Sequence, residues 1–281
     1  MKYMFMKFPD GKPKALTLSY DDGVRDDIKL SKIINKYGIK CTFNHTNAEY
    51  MSKEEIKEYI LSNGHEIAVH GANHRAEGLN RPIEGIDDVL SCRKNLENKF
   101  GIIIRGMAYP DSGIRNMAIG NTYEEIRAYL KSLEIAYART LGEDNDFFRL
   151  PEDWYAWMPT IHHINPKIME YIEKFLNIDI SERTYLSNRY PRLFYLWGHS
   201  YEFERNNNWE LLERICEKLA NKPDIWYATN MEIYNYVNSY NSLEYSADGK
   251  IIYNPTLYTI WFEIDGKSYS IQSNETLHIS V

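Results

Sequence analysis

The residues of this chain whose types and spacing suit metal binding and acid–base chemistry are two adjacent carboxylates, Asp21 and Asp22, two histidines four apart, His70 and His74, and a late histidine, His199. Asp21-Asp22-Gly23 closes the run Ala15-Leu16-Thr17-Leu18-Ser19-Tyr20, which has the apolar and β-forming composition of a buried strand. Successive residues on an extended backbone point to opposite sides, so Asp21 and Asp22 can serve different tasks, and Gly23 permits the turn that follows. The spacing of His70 and His74 lets both imidazoles face one point from a single helical turn. One aspartate and two histidines form a frequent ligand set for a divalent metal, with positions left open for water and substrate. Each piece also has an ordinary reading. An Asp-Asp-Gly after a strand is commonly a turn with a capping carboxylate, and a histidine pair at this spacing is commonly a surface or packing pair.

Taken together, Ser19-Tyr20-Asp21-Asp22-Gly23, His70-Gly71-Ala72-Asn73-His74 and Trp197-Gly198-His199 resemble the polysaccharide deacetylases of the NodB type, carbohydrate esterase family 4. The resemblance covers roughly residues 14 to 235 and rests on the order of the three stretches, each at the end of an expected strand. It implies that Asp21 is the general base, that Asp22, His70 and His74 hold one divalent metal ion, and that His199 is the general acid. Zinc is the expected ion, with cobalt, nickel and iron(II) as alternatives, since two imidazoles and a carboxylate suit it. The implied activity is metal-dependent removal of N-acetyl or O-acetyl groups from an amino-sugar-containing oligo- or polysaccharide. Two alternatives remain open: hydrolysis of a non-sugar C–N amide bond on the same barrel, and a non-catalytic glycan-binding protein.

The chain departs from the family pattern in two places. Where the family's third motif carries an arginine that pairs with the base, the proline alignment of Ala108-Tyr109-Pro110 puts Ala108. Either the arginine comes from elsewhere, with Arg149 and Arg105 as candidates, or Asp21 lacks that partner. The family's fourth motif has its nearest counterpart in Glu152-Asp153-Trp154, whose Asp153 is a candidate to tune His199. Tyr109, Pro110, Arg149, Trp154 and Trp197 are the expected substrate-binding residues. The adjacent His162 and His163 have no assigned role beyond lining the cleft or a loop over a sugar subsite.

These residues need a scaffold that brings several strand ends together. Short apolar runs alternate with helical segments throughout: strands are expected at Ile39–His45, Glu66–Val69, Ile103–Tyr109, Ile135–Ala138, Leu193–Trp197 and Ile225–Tyr227, after the first at Ala15–Tyr20. Between them, Ser52-Lys53-Glu54-Glu55 and Thr122-Tyr123-Glu124-Glu125 are capping boxes, and Gly38, Gly64 and Gly101 are helix stops. Helices are expected from about Val24 to Tyr37, Gly85 to Phe100, Asn165-Pro166 to Leu176, Trp209 to Leu219 and Met231 to Val237, with an irregular aromatic stretch from Gly142 to His163. Seven strands alternating with helices imply a parallel sheet with right-handed crossovers, closed or nearly so, whose carboxyl ends carry the site. The fold class is therefore α/β, and the resemblance specifies a distorted (β/α)7 barrel of the NodB deacetylase type. Beyond about Ser239 the pattern turns to short strands joined by Asp248-Gly249 and Asp265-Gly266 turns, with a last strand at Thr276–Val281. The expected division is a barrel over residues 1–239 and a small all-β appendix over 240–281, too short for a strong core of its own and so packed on the barrel.

Composition narrows the partners. The 281 residues include 23 Tyr and 6 Trp, which suits stacking on sugar rings, although most are expected at the edges of the core. A formal charge of −7 without a basic run argues against nucleic acid. Cys41, Cys92 and Cys216 are odd in number and lie in apolar-periodic segments, as buried free thiols do. Neither a signal peptide nor a membrane span is recognisable in Met1–Pro9 or later, so a cytoplasmic location is expected. The sequence leaves the oligomeric state open.

Overall fold

The computed structural model describes residues 3–142, 145–179 and 189–279. Its elements run β1 (Met4–Lys7), β2 (Lys14–Tyr20), α1 (Asp27–Lys36), β3 (Cys41–His45), α2 (Lys53–Tyr59), β4 (Glu66–Val69), α3 (Pro82–Phe100), β5 (Gly106–Ala108), α4 (Tyr123–Ser132) and β6 (Tyr137–Arg139). After these come β7 (Ile161–His162), α5 (Ile168–Leu176), β8 (Arg192–Gly198), α6 (Tyr201–Arg205), α7 (Trp209–Leu219), β9 (Ile225–Tyr227) and α8 (Asn230–Asn241). The C-terminal strands are β10 (Glu244–Tyr245), β11 (Ile251–Tyr253), β12 (Ile260–Ile264), β13 (Lys267–Ile271) and β14 (Thr276–His278). Both capping boxes form as the sequence predicts, at Ser52/Glu55 and Thr122/Glu125. Gly64 and Gly101 end their helical segments in the left-handed conformation.

The central sheet has the order β6-β5-β4-β3-β2-β8-β7, with parallel neighbours throughout. β9 lies beside the first half of β2, and β3 takes the second half of the same edge. The seven strands expected from the pattern are all present, and the sheet curls into a distorted (β/α)7 half-barrel. β7 is an additional strand inside the stretch expected to be irregular; its two residues are too few for an alternating pattern to register.

The curl is completed by a seam rather than by a full strand. Trp157 makes a single parallel bridge to Arg139, with Trp157 N donating to Ala138 O at 3.0 Å and Thr140 N to Trp157 O at 2.9 Å. Four residues on, Ile161 and His162 pair with Leu196 and Trp197 of β8.

Strand alternation sorts side chains into two layers. On β2, Leu16, Leu18 and Tyr20 pack in the main core with Leu30, Ile33 and Ile34 of α1 and Leu212 and Ile215 of α7. The intervening positions turn inward: Thr17 Oγ1 donates to Asn230 Oδ1 at 2.8 Å, and Ser19 Oγ accepts from Asn44 Nδ2 at 2.8 Å. Asp21 is the next residue in this inward row. The same period of two points Asn44, Arg139 and Trp197 inward while Phe43, Ala138 and Leu196 join the outer core.

The C-terminal strands form two small antiparallel sheets, β1-β12-β13 and β10-β11-β14. The first contains the N-terminal strand, with Met4 opposite Ile264 and Lys7 opposite Trp261. A second apolar cluster joins Phe8, Ile252, Ile260, Phe262 and Ile271 to Ala15, Leu193 and Tyr195 of the barrel strands. Tyr236 ties the two parts together, its hydroxyl donating to Lys7 O at 2.8 Å and accepting from Trp261 N at 3.0 Å. The expected end of the last strand, beyond Ile279, lies outside the described residues. Among the described residues no helix is long and apolar enough to cross a membrane. Because Phe262 is fully buried in this cluster, Phe262→Ala is expected to cost about 3–5 kcal/mol of stability. A chemical-denaturation midpoint checks this, with the turnover of the folded protein unchanged.

Candidate active site

Asp22, His70 and His74 offer ligand atoms that all lie within 4.8 Å of one another. Asp22 Oδ1 is 3.6 Å from His70 Nε2 and 3.3 Å from His74 Nε2. His70 follows β4 directly and is buried. Its Nδ1 donates to Ala108 O at 2.9 Å, so its other nitrogen, Nε2, presents a lone pair to the cluster. That Nε2 is buried and has no hydrogen-bond partner. A buried orphaned nitrogen aimed at a carboxylate and a second imidazole is what a divalent ion would satisfy, so the donor set fits a metal.

The two histidines do not share a helical turn, as their spacing suggests. Residues 70–74 are a loop, with Gly71 at φ 72° and His74 at φ 52°. Asp88 Oδ1 accepts from Asn73 N at 2.9 Å and from Asn73 Nδ2 at 2.7 Å, which holds the loop. Asp22 itself has φ 79°, a conformation that costs a non-glycine residue energy and clusters at functional sites. Alternation alone would send Asp22 to the outer layer with Leu18 and Tyr20; the positive φ breaks that alternation at the strand's end, and Asp22 stands beside His70 and His74. Gly23 follows at φ 65°, and a Cβ there would stand 2.6 Å from His45 Nδ1, so the turn requires glycine.

Asp21 is buried, with its backbone N–H donating to Gly198 O at 3.1 Å. Its Oδ1 accepts from Asn44 Nδ2 at 2.8 Å, and its Oδ2 is ion-paired with Arg139. Burial by itself raises the carboxyl's pKa; the Arg139 guanidinium, with His70 and His199, more than offsets this and holds it below the usual carboxylate range. Arg139 is fully buried and lies against the Trp197 ring, 4.3 Å from its centroid.

His199 Nε2 lies 4.0 Å from Asp22 Oδ2, the carboxylate oxygen other than the one that His70 and His74 approach. Its Nδ1 lies 3.5 Å from Glu202 Oε2. Burial lowers the imidazole's affinity for a proton, but Glu202, Asp21 and Asp22 reverse this and leave it above its ordinary value. Burial likewise raises Glu202, while His199, His162 and His163 pull it down to about 2.

Several expected positions fall elsewhere. Arg149 and Arg105 do not reach Asp21. Arg149 lines a separate cavity with Phe147, Leu150, Glu152 and Arg192, and Arg105 Nε donates to Glu134 O at 2.9 Å. Arg139, at the carboxyl end of β6, takes the role foreseen for them. Asp153 does not approach His199; it accepts from Tyr123 OH at 2.7 Å and Tyr155 N at 2.9 Å. Trp154 packs edge-on against Trp157 and Tyr234, away from the cluster. Tyr109 belongs to the buried outer core, its hydroxyl donating to Tyr155 O at 2.8 Å, because Ala108 occupies the inward position before it. Pro110 is buried against the histidine loop, its Cγ 3.3 Å from where a Cβ on Gly71 would stand. Trp197 does face inward, donating from Nε1 to Gly142 O at 3.1 Å. Asn44, Arg139 and Glu202 are the residues sequence reasoning missed. A charged residue directly after an apolar strand was the available signal for Arg139, and an acid three residues beyond His199 was the signal for Glu202.

A cavity of about 490 Å³ opens over the cluster, lined by Asp22, Thr46, Tyr50, Asn73, His74 and Tyr201 among others. That volume is in the range of small-ligand sites. Tyr50 on its rim is 55% exposed, which leaves an aromatic face available to a ligand.

Residues 9–138 match the family model described as polysaccharide deacetylase. No curated protein matches the chain. Among solved structures, a Mycobacterium smegmatis protein described as a polysaccharide deacetylase aligns with TM-score 0.60 at 17% identity, covering 86% of this chain and 96% of that one. The allantoinase PuuE aligns with TM-score 0.57 at 14% identity over 81% and 91% of the two chains. A family 4 carbohydrate esterase from Streptomyces lividans, solved with acetate, aligns with TM-score 0.50 at 12% identity over 76% and 91%. At these identities the likeness is one of fold.

Proposed function

We propose that this chain is a divergent member of the polysaccharide deacetylase family, of the NodB type, and a metal-dependent hydrolase that removes acetyl groups from an amino-sugar-containing oligo- or polysaccharide. The observation that carries the reading is the convergence of the Asp22, His70 and His74 ligand atoms beside a buried, arginine-paired Asp21 and close to His199. Asp22, His70 and His74 would hold the ion, with zinc the first candidate for a site of two imidazoles and one carboxylate. A bound divalent ion supplies Lewis acidity for a carbonyl oxygen and an attacking water. Asp21, kept ionised by Arg139 and oriented by Asn44, is the base that takes the water's proton. His199 is the acid: Glu202 stands at its Nδ1, its Nε2 faces the cluster, and from there it protonates the departing amine. Amines leave poorly unless protonated, so this group matters most for an amide. Tyr50 and Tyr201 flank the opening, where an aromatic face stacks on a sugar ring.

Elemental analysis together with acetate release from a panel of acetylated amino-sugar oligomers tests this reading. One divalent ion per chain and acetate release are expected, with His70→Ala and His74→Ala each losing most of the metal. Full metal occupancy in both variants overturns the ligand assignment. A cyclic ureide in the same panel tests the non-sugar alternative, for which the fold likeness to an allantoinase is the motive.

A further inference from the structure

Glu202 Oε2 gathers four nitrogens: His199 N at 3.3 Å, His163 Nε2 at 3.3 Å, His162 Nε2 at 3.4 Å and His199 Nδ1 at 3.5 Å. Three imidazoles thus converge on one carboxylate oxygen behind the face that His199 turns to the cluster. His162 and His163 are 5% and 0% exposed, so their placement is set by packing rather than by solvent. His163 is stacked on Phe203, with ring centroids 4.1 Å apart, and faces Tyr20 at 5.6 Å. It occupies space left by Gly198, where a Cβ would fall 1.9 Å from its Nδ1. The glycine before His199 therefore exists, in packing terms, to admit His163.

The same donor types could hold a metal ion, but the hydrogen bonding of His162 argues against it. Ile164 N donates to His162 Nδ1 at 3.2 Å, so that nitrogen carries a lone pair. Neutral imidazole then bears its proton on Nε2, the atom facing Glu202. A ring so protonated is a donor to a carboxylate and has no lone pair there for an ion. Burial drives the His162 and His163 pKa values down to about 4 and about 3, in keeping with uncharged rings.

We propose that His162 and His163 are positioning residues for His199: their buried Nε2 edges, 3.4 and 3.3 Å from Glu202 Oε2, confine that carboxylate beside His199 Nδ1, so that the acid holds one proton on Nδ1 and turns its Nε2, the proton-donating edge, to the metal cluster. The proposal rests on the reading of His199 as the acid. Without the pair, Glu202 can rotate away or be drawn to Arg205, whose Nη2 lies 3.8 Å from its Oε1. His163 Nε2 and His199 Nδ1 have no hydrogen-bond partner among the described residues, so the rings hold the carboxylate by close electrostatic contact.

Long-range proton–nitrogen correlation spectra of the imidazoles in the full, metal-loaded chain read the tautomers directly. In the unmutated protein His162 is expected with its proton on Nε2 and His199 with a proton on Nδ1. The His162→Phe/His163→Phe double variant keeps ring volume and removes both Nε2 edges. It is expected to mix the His199 tautomers and lower kcat on an acetylated amino-sugar oligomer by about 10- to 100-fold, with KM and metal content unchanged. His162→Gln, which keeps an N–H donor, recovers most of that kcat. A His162 protonated on Nδ1 in the unmutated protein overturns the proposal, whether or not the variants fold. So does a double variant with the parent's His199 spectrum, or a second equivalent of zinc that the double variant loses and His70→Ala retains. These readouts are separable from the acid assignment, which fails instead if His199→Ala turns over amide at the parent rate.

Discussion

Asp21→Asn is expected to bind metal as the parent does and to lose turnover by about 10²- to 10⁴-fold, the usual contribution of a positioned general base. The retained metal follows from geometry: Asp21 stands outside the group formed by Asp22, His70 and His74. Loss of turnover follows from chemistry, because an amide oxygen cannot take up the water's proton at neutral pH. The variant also leaves the buried Arg139 without its carboxylate, at a cost of about 3–5 kcal/mol for an unpaired buried charge. Turnover is therefore to be measured below the variant's melting transition, on protein whose metal content and circular dichroism match the parent. Asp22→Asn gives the complementary result, weaker metal binding, since a charged ligand becomes neutral. An Asp21→Asn protein that hydrolyses its amide at the parent rate would remove Asp21 from the mechanism.

The second large effect is a difference between substrates. His199→Ala is expected to lose about 10²-fold or more on an acetylated amino sugar but far less on an activated aryl acetate, whose phenolate leaves without a proton. Metal content should again match the parent. The pH dependence of the parent has a defined sign. Although burial opposes it, the carboxylates around His199 raise its pKa, so the acid stays protonated above the usual imidazole range and amide turnover falls as pH rises through that value. Asp21 lies below the usual carboxylate range, so its limb falls at more acidic pH than a free aspartate would give. Equal losses on the amide and the aryl ester would exclude His199 as the proton donor to the leaving group.

Much of this arrangement was legible because strand alternation is a local property. A run such as Ala15–Tyr20 announces a buried strand, and the position of Asp21 relative to Thr17 and Ser19 decides which face it joins. What the sequence conceals depends on contacts between distant elements. Arg139 lies 118 residues from Asp21, and only the meeting of β6 and β2 around one barrel interior pairs them. Tyr109 was expected in the cleft from its motif, yet alternation from Ala108 sends it to the outer core. Helical spacing misled at His70 and His74, where a loop fixed by Asp88 does the work of a helical turn. β7 stayed hidden because two residues carry no period.

The seam between Trp157 and Arg139 has a consequence for motion. On one side of it stands β6, which carries the partner of Asp21; on the other stand His162 and His163, which face Glu202 beside His199. A single bridged residue and a two-residue ladder are short pairings, so amide hydrogens there should exchange with solvent through smaller openings than those of β2, which is paired along its whole length with β8. Each such opening parts the side of the barrel that holds the partner of Asp21, the proposed base, from the side that faces Glu202 and His199, the proposed acid. Exchange protection at the Trp157 and Thr140 amides then reports, in one measurement, how much of the time the two halves are aligned for reaction.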